Sequence, residues 1–171
     1  MIQNIGFIGL GIIGGAIAKS IKKTHDDYKI YAYNRYYPQE NKDLSMAHDE
    51  SVVDIICNSL SDFSVCDIIF LCAPVLANIN YLESLKGIIK EDCIITDVGS
   101  VKGNIHEAVK NIGLEQNFIG GHPMTGSERT GYANSSAQIM ENAYYLLTPC
   151  ETTHEHMISN LTTLIRDIGS I

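Results

Sequence analysis

Gly9-Leu10-Gly11-Ile12-Ile13-Gly14 constrains this chain more than any other stretch, because it stands between the apolar run Ile5-Gly6-Phe7-Ile8 and the helical pattern from Ala16 to Lys23. The order reads as a strand, a tight glycine turn and the first turn of a helix. In such a unit the first glycine permits the turn, the second lets the backbone approach a pyrophosphate, and the third lets helix and strand pack closely. Backbone N–H groups at the helix start then face the phosphates, backed by the positive end of the helix dipole. A glycine turn also arises between strand and helix for backbone reasons alone, so the rest of the chain has to decide. On the dinucleotide reading, Gly9, Leu10, Gly11, Ile12, Ile13 and Gly14 form the phosphate cradle.

Strand and helix signals alternate beyond it. Lys29 to Tyr33 reads as a second strand after the turn residues His25-Asp26-Asp27, followed by a helix from Glu40 to His48 and a short apolar piece from Val52 to Cys57. Cys66 to Ala73 is a near-continuous apolar run stopped by Pro74, as expected of a strand buried on both faces of a parallel sheet. Its Cys72-Ala73-Pro74 end would lie over the glycine turn, at the sheet edge where such folds bind ligands. A helix is expected over Leu76 to Leu85, a strand over Asp92 to Asp97 and a helix over Asn104 to Asn111. A further strand opens at Phe118-Ile119 and enters a glycine-bounded loop, and another spans Ala143 to Leu147, with one of Tyr144 and Tyr145 turned inward and the other outward. Thr153 to Asp167 reads as a capped helix with Ile158, Leu161 and Ile165 along one face. The alternation predicts an α/β fold, a doubly wound and mostly parallel sheet of the Rossmann type. A length of 171 residues suits one such dinucleotide-binding domain. The sequence stops just past a helix, where another strand could start, and this is expected of a domain cut from a longer protein.

The 12 Lys and Arg are scattered against 20 Asp and Glu, a net charge of -8, which argues against a nucleic-acid partner. The five cysteines Cys57, Cys66, Cys72, Cys93 and Cys150 lie mostly in apolar runs with no framework spacing, as in a reducing compartment. No signal peptide or membrane-length run is seen, so a cytoplasmic protein without a membrane partner is expected. His154 and His156 are two residues apart and do not share a helix face. No metal site is expected.

Two regions carry the chemistry. Asn34-Arg35 follows the second strand, about 20 residues past the last glycine, where an acid would accept bonds from both adenosine ribose hydroxyls. Asn34 can bond one hydroxyl, and Arg35 can pair with a 2′-phosphate, so NADP is expected in preference to NAD. His122 lies where a strand runs into a polar loop, and an imidazole titrating near neutrality suits removal of a hydroxyl proton while hydride leaves the same carbon. Gly99 and Ser100 end a different strand on the same edge, with the Ser100 hydroxyl able to orient the imidazole or meet substrate. Lys102 and Glu128 read as surface charges in the crevice loops, and His25, His48 and His106 as solvent-facing.

At Gly9 to Gly14, Ala73-Pro74, Asp97-Val98-Gly99-Ser100-Val101-Lys102, Gly120-Gly121-His122-Pro123-Met124-Thr125-Gly126-Ser127-Glu128 and Leu147-Thr148-Pro149 the chain resembles the prephenate dehydrogenase family, which includes the arogenate dehydrogenases. The His-Pro loop with its trailing Gly-Ser-Glu is the specific element. The resemblance implies oxidative decarboxylation of prephenate to 4-hydroxyphenylpyruvate in tyrosine biosynthesis, with His122 as the proton acceptor and Ser100 as the serine bonded to it. Ser127 and Glu128 become candidate substrate contacts. It also implies a second, all-helical domain that forms a homodimer and supplies basic residues for the substrate carboxylates. Nothing here corresponds to that domain, so the 171 residues are expected to bind cofactor and turn over poorly or not at all. Other readings are an arogenate dehydrogenase, a related hydroxy-acid or imine reductase, and a non-catalytic module that senses NADP.

Overall fold

Apolar runs become the middle of a sheet covered on both sides. The computed structural model describes residues 2–35, 41–126 and 128–171. In chain order the elements are β1 (Asn4–Ile8), α1 (Ile12–Thr24), β2 (Lys29–Tyr33), α2 (Lys42–Asp49), β3 (Ile55–Ile56), β4 (Ile68–Leu71), α3 (Val75–Leu85), β5 (Ile94–Asp97), α4 (Gly103–Ile112), β6 (Phe118–Pro123), β7 (Tyr145–Pro149) and α5 (Glu155–Asp167), with short 3₁₀ turns between. The strand order is β3-β2-β1-β4-β5-β6-β7, every neighbouring pair parallel except β6 and β7. This is the doubly wound Rossmann order with one antiparallel strand added at the edge.

Alternate residues of the central strands serve opposite cores, which explains why the runs are apolar throughout. Ile5, Phe7, Ile68 and Phe70 pack with Ile17, Ile21, Leu161 and Ile165 of α1 and α5. Ile8, Ile69 and Leu71 pack with Leu82, Leu85, Ile105 and Val109 of α3 and α4. The Phe7 and Phe70 rings stack across the β1–β4 pair with centroids 5.1 Å apart. Because β1, β4, β5 and β6 are parallel, their carboxyl ends meet along one edge of the sheet.

Several boundaries differ from expectation for local reasons. β4 starts at Ile68, since the Asp67 carboxylate accepts the Gln3 and Asn4 N–H groups and pairs with Lys90. α2 starts at Lys42 behind Asn41, whose side chain accepts the Leu44 N–H; Glu40 lies outside the described residues. β7 runs from Tyr145 through Thr148 and Pro149, and Pro149 pairs with Ile119, a place where an edge strand tolerates proline. α5 has no side-chain cap. The Thr153 hydroxyl that would have capped it takes the Cys150 N–H at 2.9 Å and lies 3.0 Å from the Glu115 and Phe118 carbonyls. His25 is half-buried, stacked on Tyr28 and 3.1 Å from Asp167, and does not project freely into solvent. Tyr145 is buried and Tyr144 exposed, as strand alternation requires. Among the described residues no helix is long and apolar enough to cross a membrane.

Candidate functional site

The three glycines of the turn have different reasons to be glycine. Gly9 sits at φ +93°, and a Cβ there would come within 2.7 Å of the Ala73 nitrogen. A Cβ on Gly14 would lie 2.6 Å from the Gly9 carbonyl oxygen and 3.2 Å from Cys72 Cβ, so this position sets the approach of α1 to β4. Among the described residues, a Cβ on Gly11 would meet no atom within 4 Å beyond its chain neighbours. The first and third glycines are required by the protein's own packing, and the second borders open space. α1 has no side-chain cap and no acid in its first turn, which leaves its terminal N–H groups for an anion. The cradle therefore fits a pyrophosphate.

A groove of about 490 Å³ opens beside the turn. Gly9, Leu10 and Gly11 line it from the turn, Asn34 and Arg35 from beyond β2, and Cys72, Ala73 and Pro74 from beyond β4. Ile12, Ile13 and Gly14 form the first turn of α1. Asn34 does more than flank this groove. Its Oδ1 accepts the Leu10 N–H at 2.6 Å and its Nδ2 donates to Asn41 Oδ1 at 3.3 Å, so the side chain expected to read a ribose hydroxyl also holds the turn against β2. An acid also reaches the groove, Asp43 of α2, which attention to the end of β2 alone misses. The signal was Asn41, a helix N-cap that places Asp43 in the first turn.

β6 brings His122 to the sheet edge, half-buried and in register with Leu146. Gly99 and Ser100 leave β5 on the same edge; Ser100 is exposed, and among the described residues no hydrogen bond joins it to His122. Glu128 is exposed in the connection to β7, and Ser127 lies outside the described residues.

Beneath this edge lies a polar network that corrects two surface assignments. Asp97 is fully buried and accepts the Gly99 N–H at 3.0 Å, the Gly121 N–H at 3.2 Å and Lys102 Nζ at 2.5 Å. Lys102 Nζ also donates to the Gly121 carbonyl at 2.6 Å. Burial lowers the Lys102 pKa, and the hydrogen bond that Lys102 donates to Asp97 opposes the shift. His106 is half-buried, 3.3 Å from Thr148 Oγ1 and 3.6 Å from Cys150 Sγ, with its ring edge-on to Phe118. Burial lowers its pKa, Asp97 pulls it back up and Lys102 pushes it down. Gly120 makes room for both side chains, since a Cβ there would lie 2.7 Å from His106 Nε2 and 3.2 Å from Lys102 Cδ. His154 and His156 stack on each other, and among the described residues no group of three or more His, Cys, Asp or Glu is placed to hold a metal ion.

A glycine cradle at the head of a doubly wound parallel sheet is the architecture of a dinucleotide-binding domain. Residues 17–171 match the family model of the prephenate dehydrogenase nucleotide-binding domain, and the chain belongs to that family. The prephenate dehydrogenase of Lactococcus lactis subsp. cremoris (strain MG1363) is 34% identical over 149 residues, which are 85% of this chain and 41% of that protein. The crystal structure of A. aeolicus prephenate dehydrogenase with hydroxyphenyl propionate and NAD+ superposes with a TM-score of 0.90 at 32% identity, covering 100% of this chain and 59% of that one. Synechocystis arogenate dehydrogenase gives a TM-score of 0.89 at 30% identity, covering 99% and 58%. The chain spans 41–56% of the length of the curated relatives it matches.

Proposed function

We propose that this chain is the cofactor-binding half of an NAD(P)-dependent dehydrogenase that converts prephenate to 4-hydroxyphenylpyruvate by oxidative decarboxylation in the cytoplasm. The observation that carries the reading is the meeting of the Gly9–Gly14 cradle and His122 on one edge of the sheet. Bound nicotinamide supplies the hydride acceptor. His122 takes the proton of the ring hydroxyl as hydride leaves the same carbon. Loss of carbon dioxide then makes the ring aromatic and the step effectively irreversible. Ser100, at the end of the adjacent strand, is the candidate partner of the imidazole or of the substrate oxygen, and Ser127 and Glu128 are candidate substrate contacts. Gly121, locked to Asp97 and Lys102, fixes the backbone immediately before His122.

Arg35 lines the groove and offers a charge-assisted contact to a 2′-phosphate, which favours NADP over NAD. The substrate carboxylates and a homodimer contact fall to a second, helical domain of the whole protein. Arogenate is the second substrate reading, favoured by the likeness to the Synechocystis enzyme.

The test is His122→Asn in the full-length protein, with prephenate and arogenate each assayed against both dinucleotides. Turnover should fall at least about a hundredfold while NADPH binding is kept. Turnover close to wild type would remove His122 from the chemistry.

A further inference from the structure

The groove beside the glycine turn is lined by two opposite charges. Arg35 and Asp43 both line it, and among the described residues neither side chain has a hydrogen bond or an ion pair, including with the other. By contrast Lys19 is paired with Glu50, and Lys22 with Asp54. The turn that carries Asp43 is tied to the end of β2. Asn41 Oδ1 accepts from Asn34 Nδ2 at 3.3 Å and from the Leu44 N–H at 3.4 Å, so the first turn of α2 is tied to the end of β2. Asp43 lies within that turn, between Asn41 and Leu44. On the other side of the groove Gly131 stands at φ +84°, and a Cβ built there would be 3.7 and 3.8 Å from the two Asp43 carboxylate oxygens. The carboxylate therefore faces the narrow gap between α2 and the connection that leads from β6 to β7.

We infer that Asp43 accepts the hydroxyls of the adenosine ribose, and is the residue that sets the balance between a dinucleotide with a free 2′-hydroxyl and one with a 2′-phosphate; this rests on the dinucleotide reading of the groove. The hydroxyl pair needs an acceptor at the end of β2. The Asn34 carbonyl there already accepts the Leu10 N–H at 2.6 Å, and among the described residues Asp43 on the neighbouring helix is the carboxylate that lines the groove. An ionised carboxylate takes two hydroxyl donors in charge-assisted bonds. The same carboxylate repels a 2′-phosphate across a few ångströms, and Arg35 attracts it. The two side chains act in opposition: Arg35 admits the phosphorylated cofactor, and Asp43 retains the other.

The test is titration of this 171-residue chain with NAD+ and with NADP+ by calorimetry, for the wild type, Asp43→Asn and Arg35→Ala. Asp43→Asn should weaken NAD+ about tenfold and leave NADP+ unchanged or tighter. Arg35→Ala should move the ratio of the two dissociation constants the other way. The unliganded Asp43→Asn protein should melt close to the wild type, because among the described residues the carboxylate has no hydrogen bond or ion pair to lose. A ratio that stays within about twofold of wild type in Asp43→Asn, with both cofactors still bound, overturns the inference and leaves the cofactor site intact. A wild-type chain that binds neither dinucleotide overturns the cofactor reading itself, and this inference with it.

Discussion

Lys102 Nζ lies 2.5 Å from the Asp97 carboxylate and 2.6 Å from the Gly121 carbonyl oxygen, so a single ammonium ties the end of β5 to the residue before His122. Asp97 is fully buried, and the Lys102 side chain is 19% exposed. Removing one partner of such a pair leaves a buried charge uncompensated, at a cost of about 3–5 kcal/mol, whereas an exposed pair is worth up to about 1 kcal/mol. Two backbone N–H groups still bond Asp97, which puts Lys102→Met toward the lower end, about 3 kcal/mol. Urea unfolding of the purified variant reads this directly. A loss below about 1 kcal/mol would mean that Lys102 acts as an ordinary surface charge.

Gly11 and Gly14 separate binding from folding. A methyl group at Gly14 must displace the Gly9 carbonyl or Cys72, both part of the sheet edge, and overpacking of this kind costs about 1–3 kcal/mol. A methyl group at Gly11 touches no atom of the described residues beyond its chain neighbours. Gly11→Ala should keep the wild-type Tm and lose dinucleotide affinity at least about tenfold, since its Cβ enters the space a pyrophosphate needs. Gly14→Ala should lose both stability and binding. Equal Tm losses in the two variants would contradict the assignment of the open face to the ligand.

Asn34 is a clip for the glycine turn as well as a wall of the groove. Asn34→Ala deprives the Leu10 N–H of its acceptor, and an unpaired, partly buried donor costs about 1–3 kcal/mol. Amide exchange gives a local readout: the Leu10 amide should lose protection in the variant, while that of Gly9, bonded to the Tyr33 carbonyl, is kept. Unchanged protection at Leu10 would show that the bond contributes little in solution.

The parallel sheet was legible because two-sided burial writes continuous apolar runs into β1, β4 and β5, and the glycine cradle was legible because its geometry depends on backbone and not on partners. Tertiary partnerships were harder to read. Lys102 looks like any lysine in a polar loop until α4 folds back on β6 and Gly120 leaves it room beside His106. Thr153 has the sequence signature of a helix cap, yet the Glu115 and Phe118 carbonyls compete for its hydroxyl. Asp43 is nine residues from Asn34, and Asn41, bonded to both the β2 end and α2, ties the helix that carries the carboxylate to the groove. In each case the deciding contact joins residues from different elements, which local pattern does not encode.

His106 makes stability depend on pH in a defined sense. Its imidazole is half-buried against Phe118, Thr148 and Cys150, and burial is the largest cause that holds its pKa below the ordinary 6.5. The unfolded chain therefore takes a proton on this residue at a higher pH than the folded chain does. Between those two points the unfolded state binds more protons, so unfolding becomes easier as pH falls. The contribution is fully present above about pH 6.5, declines below it, and levels off once the folded imidazole is also protonated. His106→Gln has no such group. The stability of wild type minus that of His106→Gln, measured by urea unfolding in steps from pH 7.5 to pH 5, should shrink as the solution is acidified. A difference that grows on acidification would mean that the cation is favoured in the fold, with Asp97 outweighing burial, and would reverse the assignment.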